Sequence, residues 1–100
     1  MKYTDPRTIL SPQDAIKEVE VLYENEEDVS IAKIKWNDQY VIGIRWNIAM
    51  RESDDPKKIN EEVRCIGMPV SRGYPTWFIL PNQMADPKSE ISSILSKIKI

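Results

Sequence analysis

The chain has 100 residues, 41% of them hydrophobic and 30% charged with both signs mixed. That balance suits a single domain over residues 1–100 with one modest core, and excludes global disorder. A net charge of −2 argues against a main role in coating nucleic acid or anionic membrane, while a local basic patch stays open.

In chain order, MKYTDPRTIL lacks the apolar core of a signal peptide and reads as an irregular arm over residues 1–10. Asp5-Pro6 and Ser11-Pro12 punctuate it, and Ser11 could cap a short turn with Pro12 at its first helical position. In KEVEVLYE, Val19, Val21 and Tyr23 alternate with Glu18, Glu20 and Leu22, as in a strand. ENEEDV is an acidic connection. SIAKIKW and YVIGIRWN are two further strands around a short polar link. A three-residue link, Asn37 to Gln39, opposes Trp36 to Tyr40, Ile34 to Ile42 and Ala32 to Ile44, all apolar pairs. The same register gathers Lys33, Lys35, Val41, Gly43 and Arg45 on the other face, and it places Trp36 and Trp46 in the core.

RESDDPKK is a polar loop. Asp55-Pro56 resembles a helix start, with Ile59, Val63 and Ile66 at helical spacing and Gly67 as a stop. VRCI also suits a strand, so residues 56–66 stay open between the two. In SRGYPTWFILP, Gly73 can take a positive φ in a turn and Pro75 can open a strand. TWFIL is apolar on both faces, which predicts a strand near 76–80 covered on two sides. Asp86-Pro87 repeats the cap-and-proline signal. Ile91, Ile94, Leu95 and Ile98 then form an amphipathic stripe, with Lys97 and Lys99 favouring the helix dipole. The predicted fold class is α+β: a small antiparallel β-sheet, a meander of three strands plus a fourth near 76–80, packed by a C-terminal helix near 87–98 across its apolar face.

Catalytic signatures are sparse. There is no histidine, which removes imidazole zinc sites and the usual triads. The single cysteine, Cys65, forms no intrachain disulfide and reads as a small buried apolar residue. The three glycines fit no phosphate loop or dinucleotide fingerprint. The acidic groups ENEED and ESDD fall in predicted loops and read as solvated charge. No catalytic residue, cofactor or metal ligand is assigned. No apolar run approaches the roughly 18–20 residues of a membrane helix, so the expected setting is reducing and cytoplasmic.

Two segments carry a resemblance: VIGIRWN at 41–47 and IGMPVSRGYPTWFILP at 66–81. Together they resemble a family of short, mostly uncharacterised bacterial proteins. Those share a Gly-Ile-Arg-Trp-Asn run and a Ser-x-Gly-x-Pro-Thr-Trp-Phe run closing on proline. The resemblance implies a shared small fold and no activity. MRESDDPKKINEEVRC is longer than the connection that the family pattern implies.

The first functional expectation is a non-catalytic binding or adaptor domain. It would engage a protein partner through the Arg72–Tyr74 turn, with Arg45, Asn47, Ser71, Arg72 and Tyr74 as contact residues. The alternatives are a nucleic-acid or nucleotide binder using the Lys33, Lys35 and Arg45 face, and a metal-dependent enzyme using carboxylates. Opposite charges on neighbouring strands, Glu18 and Glu20 beside Lys33 and Lys35, account for those lysines without a ligand. A homodimer through an exposed strand edge is a further option.

Overall fold

The computed structural model describes residues 1–11 and 15–98. Three long strands lead: β1, Ile16–Glu24; β2, Val29–Trp36; and β3, Gln39–Trp46. Asn37 and Asp38, between β2 and β3, take φ of 46° and 67°. Short polar side chains tolerate this left-handed region, and two such residues in a row make a tight hairpin whose twist matches its strands. Trp36 therefore opposes Gln39, Ile34 opposes Val41 and Ala32 opposes Gly43. The expected three-residue link is corrected to two.

That single step turns β3 over, because side chains alternate faces along a strand. Val41, Gly43 and Arg45 lie on the core face beside Ala32 and Ile34, while Tyr40, Ile42, Ile44 and Trp46 share the outer face with Lys33 and Lys35. Trp36 does pack against the core, but Trp46 is 51% exposed, contrary to its expected burial.

Excursion residues between β3 and the next sheet strand carry a one-turn helix, α1, Pro56–Ile59, and a small hairpin of β4, Val70–Ser71, and β5, Tyr74–Pro75. β6, Phe78–Leu80, then pairs with β3 to complete an antiparallel sheet of order β1-β2-β3-β6. Glu18 opposes Lys35 and Glu20 opposes Lys33, so the two acidic and two basic residues lie side by side as the charge pattern predicts. Two short helices follow: α2, Asn82–Ala85, and α3, Glu90–Ser96. The α+β class, the meander, the fourth strand and the C-terminal helix are all present.

The core comprises Ile9, Ile16, Ala32, Ile34 and Trp77, with Val19, Trp36, Val41 and Ile79 against it. Its cover is the N-terminal arm together with Trp77, whose indole Nε1 donates to the Ile9 carbonyl at 2.9 Å. α3 does not roof this face. It rests on α2, which in turn meets β3, and Ile94, Leu95 and Ile98 remain exposed. In β6, Phe78 is 56% exposed, so the strand is covered on one side there.

Local signals have mixed outcomes. Asp55 accepts from the Lys57 N–H at 3.0 Å with Pro56 behind it, as predicted, but α1 lasts one turn and Glu61 takes a φ of 61°. Asp86-Pro87 makes a turn, and Ser89 is the residue that caps α3, accepting from the Ser92 N–H at 3.1 Å. Within the expected arm, Asp5 caps a short 3-10 helix at Pro6–Thr8. Pro12 and Lys99 lie outside the described residues.

A Cβ at Gly43 would sit 2.4 Å from Ile34 Cδ1 and 3.1 Å from Trp77 Cε3. Gly43→Ala is therefore expected to destabilise the fold by about 1–3 kcal/mol through overpacking. A urea melt reads this as a lower midpoint, and an unchanged midpoint would place residue 43 off the core face.

Candidate functional site

Turning β3 over carries Arg45 inside, where it is 2% exposed. A buried guanidinium needs acceptors, and the excursion supplies them. Arg45 Nη1 donates to the carbonyls of Thr76 and, at 3.5 Å, Pro69, and Nη2 donates to the Ile66 carbonyl. Burial pushes the guanidinium down to about 10, against the opposing pull of Glu52. It stays charged at neutral pH.

Glu52 is the counter-charge. Its sequence neighbourhood, ESDD, reads as solvated loop, yet its side chain is only 1% exposed. The carboxylate accepts from the backbone N–H groups of Ala49 at 2.9 Å, Ile66 at 2.8 Å and Gly67 at 2.8 Å, and from Lys58 Nζ at 2.5 Å. Burial alone would raise its pKa. Lys58 and the three N–H donors outweigh that effect and hold the carboxyl below its usual range. The peptide joining Ile66 to Gly67 thus has its carbonyl on Arg45 and its N–H on Glu52. Gly67 is required there: its φ is 67°, and a Cβ would lie 2.0 Å from the Trp46 carbonyl oxygen.

Asn47 is buried as well. Its Oδ1 accepts from Ser30 Oγ at 2.8 Å, its Nδ2 donates to the Asn25 carbonyl at 2.9 Å, and its backbone N–H donates to the Asp28 carbonyl at 2.8 Å. It fastens the β1–β2 turn to the end of β3. Arg45 and Asn47, both expected as contact residues, are therefore internal supports and present no surface to a partner.

What Arg45 supports is the hairpin. Pro69 and Thr76 bracket it, paired by the Thr76 N–H to the Pro69 carbonyl at 3.0 Å, and Arg45 grips both carbonyls from beneath. Arg72 and Gly73 form its link with φ of 53° and 82°, and a Cβ at Gly73 would meet nothing within 4 Å. Ser71 and Arg72 are exposed, and Tyr74 is 69% exposed. Tyr74 and Pro75 line a groove of about 750 Å³ together with Ile16 and residues of the N-terminal arm, among them Thr8, Ile9 and Leu10.

The Lys33, Lys35 and Arg45 face is not assembled, because Arg45 points to the opposite side of the sheet. Lys33 Nζ lies 4.5 Å from the centre of the Tyr40 ring, an intramolecular cation–π contact. The same outer face carries an apolar ledge, two of whose residues, Ile44 and Trp46, the sequence pattern puts in the core: with Met68, Pro69, Phe78 and part of Arg45 they line a concavity of about 320 Å³. Among the described residues, no group of three or more His, Cys, Asp or Glu side chains is placed to hold a metal ion. Cys65 is fully buried, and burial with Glu52 nearby pushes its thiol up.

Comparison with family models, curated proteins and solved structures finds no match. No described helix is long and apolar enough to cross a membrane.

Glu52 was missed by sequence reasoning. Its signal is indirect: an Asn-Asp pair between strands favours a two-residue link, that link buries Arg45, and a buried arginine calls for a carboxylate. Because its folded pKa lies below that of an ordinary glutamate, Glu52 contributes stability that is complete above the ordinary glutamate pKa. The contribution is lost as pH falls from there through the folded pKa. Glu52→Gln is expected to cost on the order of 3 kcal/mol at neutral pH. It should also flatten the acid limb of a stability–pH profile, and a profile parallel to wild type would contradict the assignment.

Proposed function

We propose that this protein is a non-catalytic binding domain that engages a protein partner through the Arg72–Tyr74 hairpin tip. The observation that carries the reading is the contrast between base and tip. The base is gripped by a buried arginine, while the tip holds Arg72 in a left-handed conformation and leaves Tyr74 exposed with no packing role. Holding a non-glycine residue at positive φ is unfavourable, and arginine and tyrosine are the residue types that most often anchor interfaces.

The chemistry of the tip defines the partner segment. Arg72 offers a guanidinium to a carboxylate. Tyr74 and the half-exposed Leu10, which both line the groove, offer apolar surface to an aliphatic or aromatic side chain. The fitting partner is an extended acidic segment with an adjacent apolar residue. A single buried cysteine supports a reducing, cytoplasmic setting for the encounter. The nucleic-acid reading loses its arginine, and its remaining lysines face Glu18 and Glu20 across the sheet.

Peptides displayed on phage and selected against the wild-type domain test the proposal. Enrichment of acidic–apolar segments is expected, with at least tenfold weaker binding to Arg72→Ala and Tyr74→Ala. Selected peptides that bind these variants normally, but fail on Trp46→Ala or Phe78→Ala, would move the contact surface to the apolar ledge.

A further inference from the structure

β1 is the end strand of the sheet, and its outer edge has no partner strand among the described residues. Hairpin geometry sets which of its backbone groups face outward. A two-residue link is closed by a hydrogen-bonded pair, here Trp36 and Gln39, and such pairs alternate along an antiparallel ladder. Trp36, Ile34 and Ala32 therefore direct their N–H and C=O groups at β3, while Lys35 and Lys33 direct theirs at β1. The Asn37 N–H, on the same side as Lys35, donates to the Ala15 carbonyl at 3.0 Å, as this parity requires. Glu18 and Glu20 thus bond inward to Lys35 and Lys33, and Val19 and Val21 turn their N–H and C=O groups to the free edge. No described backbone group beyond the sheet takes them. The register is regular from Glu18 to Val21, between shifts at Ile16/Glu18 and Val21/Tyr23.

The side chains along this edge define what can join it. Glu18 and Glu20 are exposed on the outer face, and each has a lysine opposite it on the β2 flank only. Val19 lies half-buried against the core, and Leu22, at a register shift, is 55% exposed. Residues 16–28 hold six carboxylates and one lysine, a net of −5 in a chain of −2 overall, which sets the sign of a matching partner. A second copy of β1 does not match: a register about Val19 sets Glu18 against Glu20, and one about Glu20 sets that glutamate against its own copy. We propose that the free β1 edge docks an extended basic segment of a protein partner, added antiparallel as a further strand of the sheet. β2 is the internal precedent, with Lys35, Ile34 and Lys33 opposite Glu18, Val19 and Glu20. A segment reading apolar–cationic–apolar–cationic repeats that pattern on the other flank. Its apolar residues exchange backbone hydrogen bonds with Val21 and Val19 and extend the core face, and its cations meet Glu20 and Glu18. The register shifts and the carboxylates keep other strands off the edge. This surface is separate from the hairpin tip and selects the opposite charge.

The probe is a head-to-tail cyclised hairpin peptide that presents Val-Lys-Val-Lys on its open strand, so that its ordering is already in place. Titrated into the isotope-labelled full chain, it is expected to give saturable amide shifts along Glu18 to Val21 and slower amide exchange at Val19 and Val21. The same peptide with glutamate for lysine, and the variant Glu18→Gln combined with Glu20→Gln, should each weaken binding by roughly fivefold or more. Val21→Pro removes one outward N–H, leaves the ladder to β2 whole and should weaken binding similarly. Arg72→Ala should bind the peptide normally, which separates this edge from the hairpin tip. Absence of saturable shifts, equal binding of the glutamate peptide, or shifts centred on Arg72 and Tyr74 would each overturn the assignment.

Discussion

One peptide unit, Ile66 to Gly67, is held between two buried opposite charges, and the placement of the whole excursion from β3 to β6 follows from it. Arg45 takes the carbonyl and Glu52 takes the N–H. Neither ion could be buried alone, since an unpaired charge in a protein interior is strongly unfavourable. Here they do not touch each other directly. They act through a polarisable amide, which strengthens both hydrogen bonds in a low-dielectric setting. Lys58 closes the far side of Glu52, and the carbonyls of Pro69 and Thr76 take Nη1 of Arg45, whose buried Nε has no hydrogen-bond partner. A loop of some length thereby becomes a fixed part of the fold and a rigid base for the hairpin tip.

The two strings that carry the resemblance, GIRWN and SRGYPTWF, meet around this centre. Gly43 leaves room for Trp77, Arg45 holds the Thr76 carbonyl, and Asn47 locks Ser30 and the β1–β2 turn. In this chain most of their letters serve packing. Those without a packing duty are Trp46 and Phe78 on the outer ledge, and Arg72 and Tyr74 at the hairpin tip. Contact with another molecule falls to residues of this second kind.

Most of the architecture was legible in the sequence; the failures were the inversion of β3, the position of α3, the one-sided cover of β6 and the depth of Glu52. The alternation in KEVEVLYE and SIAKIKW identified those strands and put Glu18 and Glu20 beside Lys33 and Lys35; the structure adds the pairing, Glu18 to Lys35 and Glu20 to Lys33. YVIGIRW misled because both of its faces are rich in apolar residues, so hydrophobic matching did not discriminate between registers one residue apart. Treating arginine as an outward residue then chose the wrong one. The turn chemistry of Asn37-Asp38 was the better guide, because backbone conformation sets hairpin register before side chains are compared. From that inversion came the misplaced Trp46 and the basic face that does not exist. The exposed turn at Arg72, Gly73 and Tyr74, by contrast, was legible, although the small hairpin that it closes was not. The burial of Glu52 was not legible from its neighbours, since its partners, Lys58, Ile66 and Gly67, come from further along the chain.

The clamp on the Ile66–Gly67 peptide is tested most directly by a double-mutant cycle in urea, using Arg45→Met, Glu52→Gln and the double variant. If the two charges act through one shared amide, each single change strands the other ion, and the double variant is more stable than additivity predicts by about 1–3 kcal/mol. Additive losses, equal within about 0.5 kcal/mol, would show that the two residues stabilise the fold independently and would contradict the account.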